Sequence, residues 1–93
     1  MDNESVNLGE LFVTVSEDLK ARCLKDKNYL TTDEGIKFYG LFKQGKVGDC
    51  NIPQPSIFYI FERQKWNEWN SRKGMSQEDA MRKYCDMYFA RCS

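Results

Sequence analysis

The sequence predicts an all-α bundle, and three observations carry that prediction. Apolar residues recur at helical spacing in four successive segments. Cap and breaker residues fall at the edges of those segments. No stretch alternates long enough to hold as a strand. Ninety-three residues, 41% hydrophobic and 30% charged, are enough for one modest core and too few for two, so residues 1–93 are expected as a single domain.

The first helix is expected from Leu8 to Cys23, with Leu8, Leu11, Phe12, Val15, Leu19 and Cys23 on one face. Gly9 and the Val13-Thr14-Val15 triplet weaken its propensity. Leu24 to Leu30, with Lys25-Asp26-Lys27-Asn28, reads as a loop. Thr31 or Thr32 then caps a second helix that reaches about Lys46, and Asp33 and Glu34 complement the dipole in its first turn. Val47 to Ser56 contains Gly48-Asp49, Pro53 and Pro55 and can only be a connection. Ile57 to Phe61 alone has the composition of a strand. The continuation ERQKWNEWNSRK extends it at helical period, so a third helix is expected to follow Ser56 as cap. The break at Lys73-Gly74 suits a left-handed helix end, and Ser76 caps a fourth helix from about Gln77 to about Arg91, with Glu78 and Asp79 in its first turn.

Composition excludes several functions. Lys+Arg and Asp+Glu both total 14, so no net positive field holds nucleic acid and any anion site must be a local cluster. There is no histidine, which removes the Ser-His and Cys-His pairs, so an enzyme such as a thioesterase is not expected. No GxxxxGK[ST] or GxGxxG is present, and the paired carboxylates Glu17-Asp18 and Glu78-Asp79 read as solvated faces, so no catalytic residue is assigned. Cys23, Cys50, Cys85 and Cys92 contain no CxxC. They are expected as reduced thiols, with no metal. The N-terminal MDNESVNLGE has no signal-peptide pattern and no apolar run approaches a membrane span, so a cytoplasmic protein without membrane insertion is expected.

Two lysines are oddly placed. Phe58, Phe61, Lys65 and Trp69 share a narrow helical face, and Ile36, Tyr39, Lys43 and Val47 share another. A single lysine on an apolar stripe ordinarily snorkels, its stem packed and its head in water. Two such lysines, each beside aromatics, point instead to a shared anion site, since lysine serves phosphate as a point charge. Tyr39, Trp66 and Tyr84 have polar edges that suit a nucleotide, and lysines interleaved with aromatics could cradle a phosphorylated head together with an apolar body.

Two stretches together resemble the acyl-CoA-binding protein family. YGLFKQGKVGD, Tyr39 to Asp49, resembles its tyrosine, aromatic-Lys-Gln and Gly-Asp segment. KWNEWN with GMSQEDAMRKY, Lys65 to Tyr84, resembles its KWxxWN…GxSxEDAMxxY segment, and the intervening residues, including Pro55, fit without gaps. The resemblance implies a four-helix up-down-down-up bundle that binds long-chain acyl-CoA without turning it over, needing no cofactor. The expected partners are the ligand and acyl-CoA-using enzymes, and a monomer is expected. Carried across by position, Tyr39 and Lys43 meet the 3′-phosphate end of CoA, Gly40, Leu41 and Phe42 belong to the same ligand-lining turn, Lys65 contacts phosphate and Tyr84 the nucleotide head. FVTVSEDLK resembles the family's first helix and makes Lys20 the matching cation, with Arg22 a rival nearer the apolar stripe.

The departures are specific. Phe61 stands where the family usually has a lysine, with Arg63 a candidate replacement, and Phe42 replaces a tyrosine. Gly45-Lys46 replaces a small residue and threonine, Ser56 replaces glycine, and the loop from Leu24 to Leu30 is longer than usual, which puts acyl-length preference in question. The alternative to a carrier is a helical protein-interaction module, distinguished by whether acyl-CoA raises the melting temperature.

Overall fold

The computed structural model describes residues 7–92. Within them lie four helices, α1 (Leu8–Lys25), α2 (Thr32–Lys46), α3 (Ile60–Asn70) and α4 (Gln77–Cys92), and no strand. None is long and apolar enough to cross a membrane.

The caps explain the boundaries. The Asn7 side chain accepts from the Gly9 amide at 2.8 Å and starts α1. Thr31 and Glu34 form a reciprocal capping box at α2, each side chain accepting from the other's amide. Gly74, at φ +91°, makes the break before α4, and the Asp79 amide donates to the Ser76 hydroxyl at 3.0 Å. At α3 the expectation fails. The helix begins at Ile60, and Ser56 instead closes a turn, accepting from the Phe58 amide on its hydroxyl and from the Tyr59 amide on its carbonyl. Phe58, 88% exposed, is therefore off the helix, and the stripe drawn through Phe58, Phe61, Lys65 and Trp69 is not one buried face. Only Trp69 of that set is buried, at 1% exposure. The physical reason is that Ile57 to Tyr59 have no opposing surface to pack against, so their apolar character did not draw them into the helix.

Cross-helix contacts give the order of the bundle. Phe12 meets Tyr84 and Asp18 meets Tyr88, so α1 and α4 run the same way. Phe38 meets Tyr84 while Gly45 lies against Met81, so α2 opposes α4. Tyr39 meets Lys65 and Lys43 meets Trp69, so α3 runs with α2. The result is an up-down-down-up bundle, which the long connection 47–59 makes possible by returning the chain to the starting end. α2 packs on both α3 and α4, and α1 packs on α4. A Cβ at Gly40 would lie 2.6 Å from Cγ of Glu68, so the glycine lets α2 and α3 approach. The core consists of Phe12, Val15 and Leu19 from α1, Phe38 and Leu41 from α2, and Ala80, Tyr84, Cys85 and Tyr88 from α4. All four cysteines are free.

Much of the Lys-Gln…Gly-Asp segment is structural. Gln44, at 0% exposure, donates through its side-chain amide to the Met75 carbonyl at 2.8 Å and to the Asp49 carboxylate at 2.9 Å. The same carboxylate accepts from the Gly74 amide at 2.9 Å, and the Trp69 indole donates to the Gly48 carbonyl at 2.8 Å. One carboxylate thus ties the end of α2 to the α3–α4 turn. The Gly74 amide first, then Gln44, holds the Asp49 carboxyl below the ordinary carboxylate range. Asp18, bonded by Tyr88 and Arg22, and Glu34, bonded by the Thr31 amide, are lowered likewise. Because the folded state favours their charged forms, the stabilisation is present above the unfolded carboxylate pKa and is lost as pH falls through the lowered values. Melting temperature should therefore drop below about pH 4, and Asp49→Asn should flatten that drop. An identical acid limb in Asp49→Asn by circular dichroism would contradict the assignment.

Candidate functional site

α1 and α2 both rest on α4, and between them lies a groove. It consists of two adjoining cavities, of about 580 Å³ and about 630 Å³, that share Ser16, Lys20, Phe42 and Tyr84. Its floor is aromatic. Phe42 stacks on Phe12 with centroids 5.5 Å apart, and Tyr84 stands edge-on to Phe12 at 5.2 Å and to Phe38 at 5.1 Å. The helical repeat turns successive residues of α1 into the groove, from Gly9 through Phe12, Ser16 and Lys20 to Cys23. α2, running the other way, contributes Gly35, Phe38, Tyr39, Phe42, Gly45 and Lys46.

The structure brings together Lys20, Tyr39, Phe42, Lys65 and Tyr84 in the larger cavity. Lys65 reaches it from α3, its ammonium 5.2 Å from the centroid of the Tyr39 ring. Such a cation is attracted to the negative face of the ring and sheds part of its water there. The anticipated pairing of Lys43 with Lys65 is absent. Lys43 lies over the Trp69 ring at 5.1 Å, on the seam between α2 and α3, and lines neither cavity. Gly40 and Leu41 line neither cavity, because both are buried, Gly40 against Glu68 and Leu41 in the core. The helical repeat points these neighbours of Tyr39 away from the groove.

Lys20 and Arg22 are placed differently with respect to the groove. Lys20 lines both cavities, whereas Arg22 pairs with Asp18 at 2.7 Å and lies 5.8 Å from the Tyr29 ring centroid. Arg63, the candidate replacement for the cation missing at Phe61, donates to the Pro55 carbonyl at 3.0 Å and is absent from the groove. A cation that sequence reading passed over does line it. Lys46 extends over the Phe42 ring at 5.5 Å and borders the smaller cavity. Its signal was the i,i+4 spacing from Phe42, mirrored by Ser16 and Lys20 on α1. Trp66, considered as a stacking platform, instead donates to the Ile52 carbonyl at 2.8 Å and holds the long connection.

The electrostatics favour an anion. Lys20, Lys46 and Lys65 face the groove against one carboxylate, Glu17, among the described lining residues. Burial pushes the Tyr84 phenol well above its ordinary range and raises Tyr39 and Cys23 too, so these groups stay neutral at pH 7. Neutral phenols can donate a hydrogen bond to phosphate, which ionised ones cannot. Among the described residues no group of His, Cys, Asp and Glu could hold a metal.

The loop end of the groove is fixed from outside. Tyr29 accepts a hydrogen bond on its carbonyl from Arg91, whose guanidinium lies 4.9 Å from the Tyr29 ring centroid and pairs with Glu34 at 3.2 Å. The Tyr29 hydroxyl meets the Cys92 sulfur at 3.3 Å. This clasp seats the next residue, Leu30, as a wall of the larger cavity.

Comparison with known proteins agrees over most of the chain. A family model described as Acyl CoA binding protein matches residues 9–88. The acyl-CoA-binding protein of Dictyostelium discoideum is 47% identical over 58 residues, covering 62% of this chain and 69% of that protein. Acyl-CoA-binding protein homolog 1 of Caenorhabditis elegans is 38% identical over 73 residues, 77% of this chain and 85% of that one. The crystal structure of Oryza sativa acyl-CoA-binding protein 2 superposes with a TM-score of 0.79 at 33% identity, over 91% of this chain and 88% of that chain.

Proposed function

Because this chain belongs to the acyl-CoA-binding protein family, we infer that it binds long-chain acyl-CoA thioesters and carries them without chemical change. The observation that carries the reading is one groove in which Lys20, Lys46 and Lys65 stand beside an aromatic floor and an apolar loop end. The phosphates of CoA fit the three ammonium groups, with the neutral hydroxyls of Tyr39 and Tyr84 as donors. Lys46 takes the part of the cation that Phe61 does not supply. Adenine stacking on the Phe12, Phe42 and Tyr84 cluster would contribute roughly 1–3 kcal/mol.

The acyl tail extends toward Leu19, Cys23, Leu30 and Phe38. Each CH₂ removed from water contributes about 0.8 kcal/mol, so chain burial outweighs head-group contacts for a long chain. Turnover needs a nucleophile with a base, and no histidine is available for that. The role is therefore a buffer and shuttle in the cytoplasm that keeps the tail from water and passes the thioester, by dissociation, to enzymes that use it.

Calorimetric titration with palmitoyl-CoA and with free CoA tests this. Palmitoyl-CoA should bind at least about 100-fold more tightly, which requires only a few buried methylenes. Equal affinities would overturn the carrier reading, as would palmitoyl-CoA hydrolysed in proportion to added protein.

A further inference from the structure

Gly35 sits in the early part of α2 (Thr32–Lys46), where nothing in the fold requires a glycine. Its φ is not positive; among the described glycines a positive φ is confined to Gly48 and Gly74. A Cβ built on Gly35 would meet no heavy atom within 4 Å. Gly40 and Gly45 differ, since each has a neighbour at 3.1 Å or closer. Glycine is the poorest helix former after proline, so its presence here works against α2.

What Gly35 does is line the groove. The residues that α1 gives to the groove end at Cys23, those of α2 begin at Gly35, and Leu30 comes from the loop between. These three residues form its loop end. Lys20 and Tyr39, on which Lys65 rests, belong to the next helical turn inward. The clasp of Arg91 on Tyr29 holds the loop wall in place, so the space beside Gly35 is bounded on the loop side.

We propose that Gly35 is a specificity-determining position: the side chain it lacks is the space that the distal methylenes of a long acyl chain occupy. The proposal rests on the reading of the groove as an acyl-CoA site. A leucine at this position would fill the end of the groove and favour shorter chains. An alanine would remove about one methylene's worth of space.

The test titrates the native protein, Gly35→Ala and Gly35→Leu with octanoyl-CoA and palmitoyl-CoA, and melts each without ligand. Gly35→Ala should melt higher than the native protein, because helix propensity improves where no contact is lost. Gly35→Leu should bind palmitoyl-CoA roughly 15- to 60-fold more weakly, about fourfold per displaced methylene, and octanoyl-CoA within about twofold of native. Gly35→Ala should show the same trend at about fourfold, and it decides the matter if the leucine variant does not fold. An unchanged palmitoyl-to-octanoyl ratio in a folded variant overturns the proposal, while a native protein that prefers neither thioester over CoA overturns the carrier reading beneath it.

Discussion

A Lys65→Ala chain should bind palmitoyl-CoA about 10- to 100-fold more weakly than the native protein, because one charge-assisted phosphate contact is worth about 1.5–3 kcal/mol. The lysine is half-buried and its ammonium already rests on the Tyr39 ring, so part of its desolvation precedes binding. Lys65→Arg should retain most of the affinity, since a guanidinium carries the same charge and stacks on the same ring. Lys83→Ala, at an exposed position on α4, serves as control and should stay within about twofold. The Lys65 effect should also shrink with added salt, although less than for a fully exposed pair. Equal losses for Lys65→Ala and Lys83→Ala in calorimetric titration would mean that Lys65 does not touch the ligand.

Trp69→Ala should cost about 3–5 kcal/mol of folding stability, the range for deleting a large buried aromatic side chain. Three separate roles end with this one residue. The indole fills the α2–α3 contact at 1% exposure, donates to the Gly48 carbonyl, and offers its face to Lys43. For a domain of this size the melting temperature should fall by about 12–40 °C, enough to leave the variant partly unfolded at growth temperature. Trp69→Phe should recover most of the packing but not the hydrogen bond, and should land about 1–2 kcal/mol below native. Thermal denaturation followed at 222 nm separates these cases. A Trp69→Ala chain that melts within a few degrees of native would show that α3 is held from elsewhere.

The sequence located α2 and the start of α4 almost to the residue, because Thr31 with Glu34 and Ser76 with Asp79 are local signals whose hydrogen bonds close within a few residues. The start of α3 was not legible for the opposite reason. Whether the apolar residues 57–59 join the helix depends on whether a partner surface covers them, and that surface is not encoded nearby. The same division runs through the groove. Lys20, Tyr39, Phe42, Lys65 and Tyr84 could be named from chemistry and resemblance. That Lys43 turns to Trp69, that Gly40 and Leu41 turn inward, and that Lys46 joins the groove depend on how α2 is rotated against α3 and α4.

By itself, then, the sequence determined an all-helical chain, its caps and breaks, and the presence of cations among aromatics with no histidine beside them. These are properties of residue type and short-range spacing. Only the tertiary structure decided which cations share a cavity, which glycine is space and which is close contact, and where the groove ends. Those depend on side chains far apart in the chain meeting across helices whose rotation is set by packing, and no local pattern carries that information.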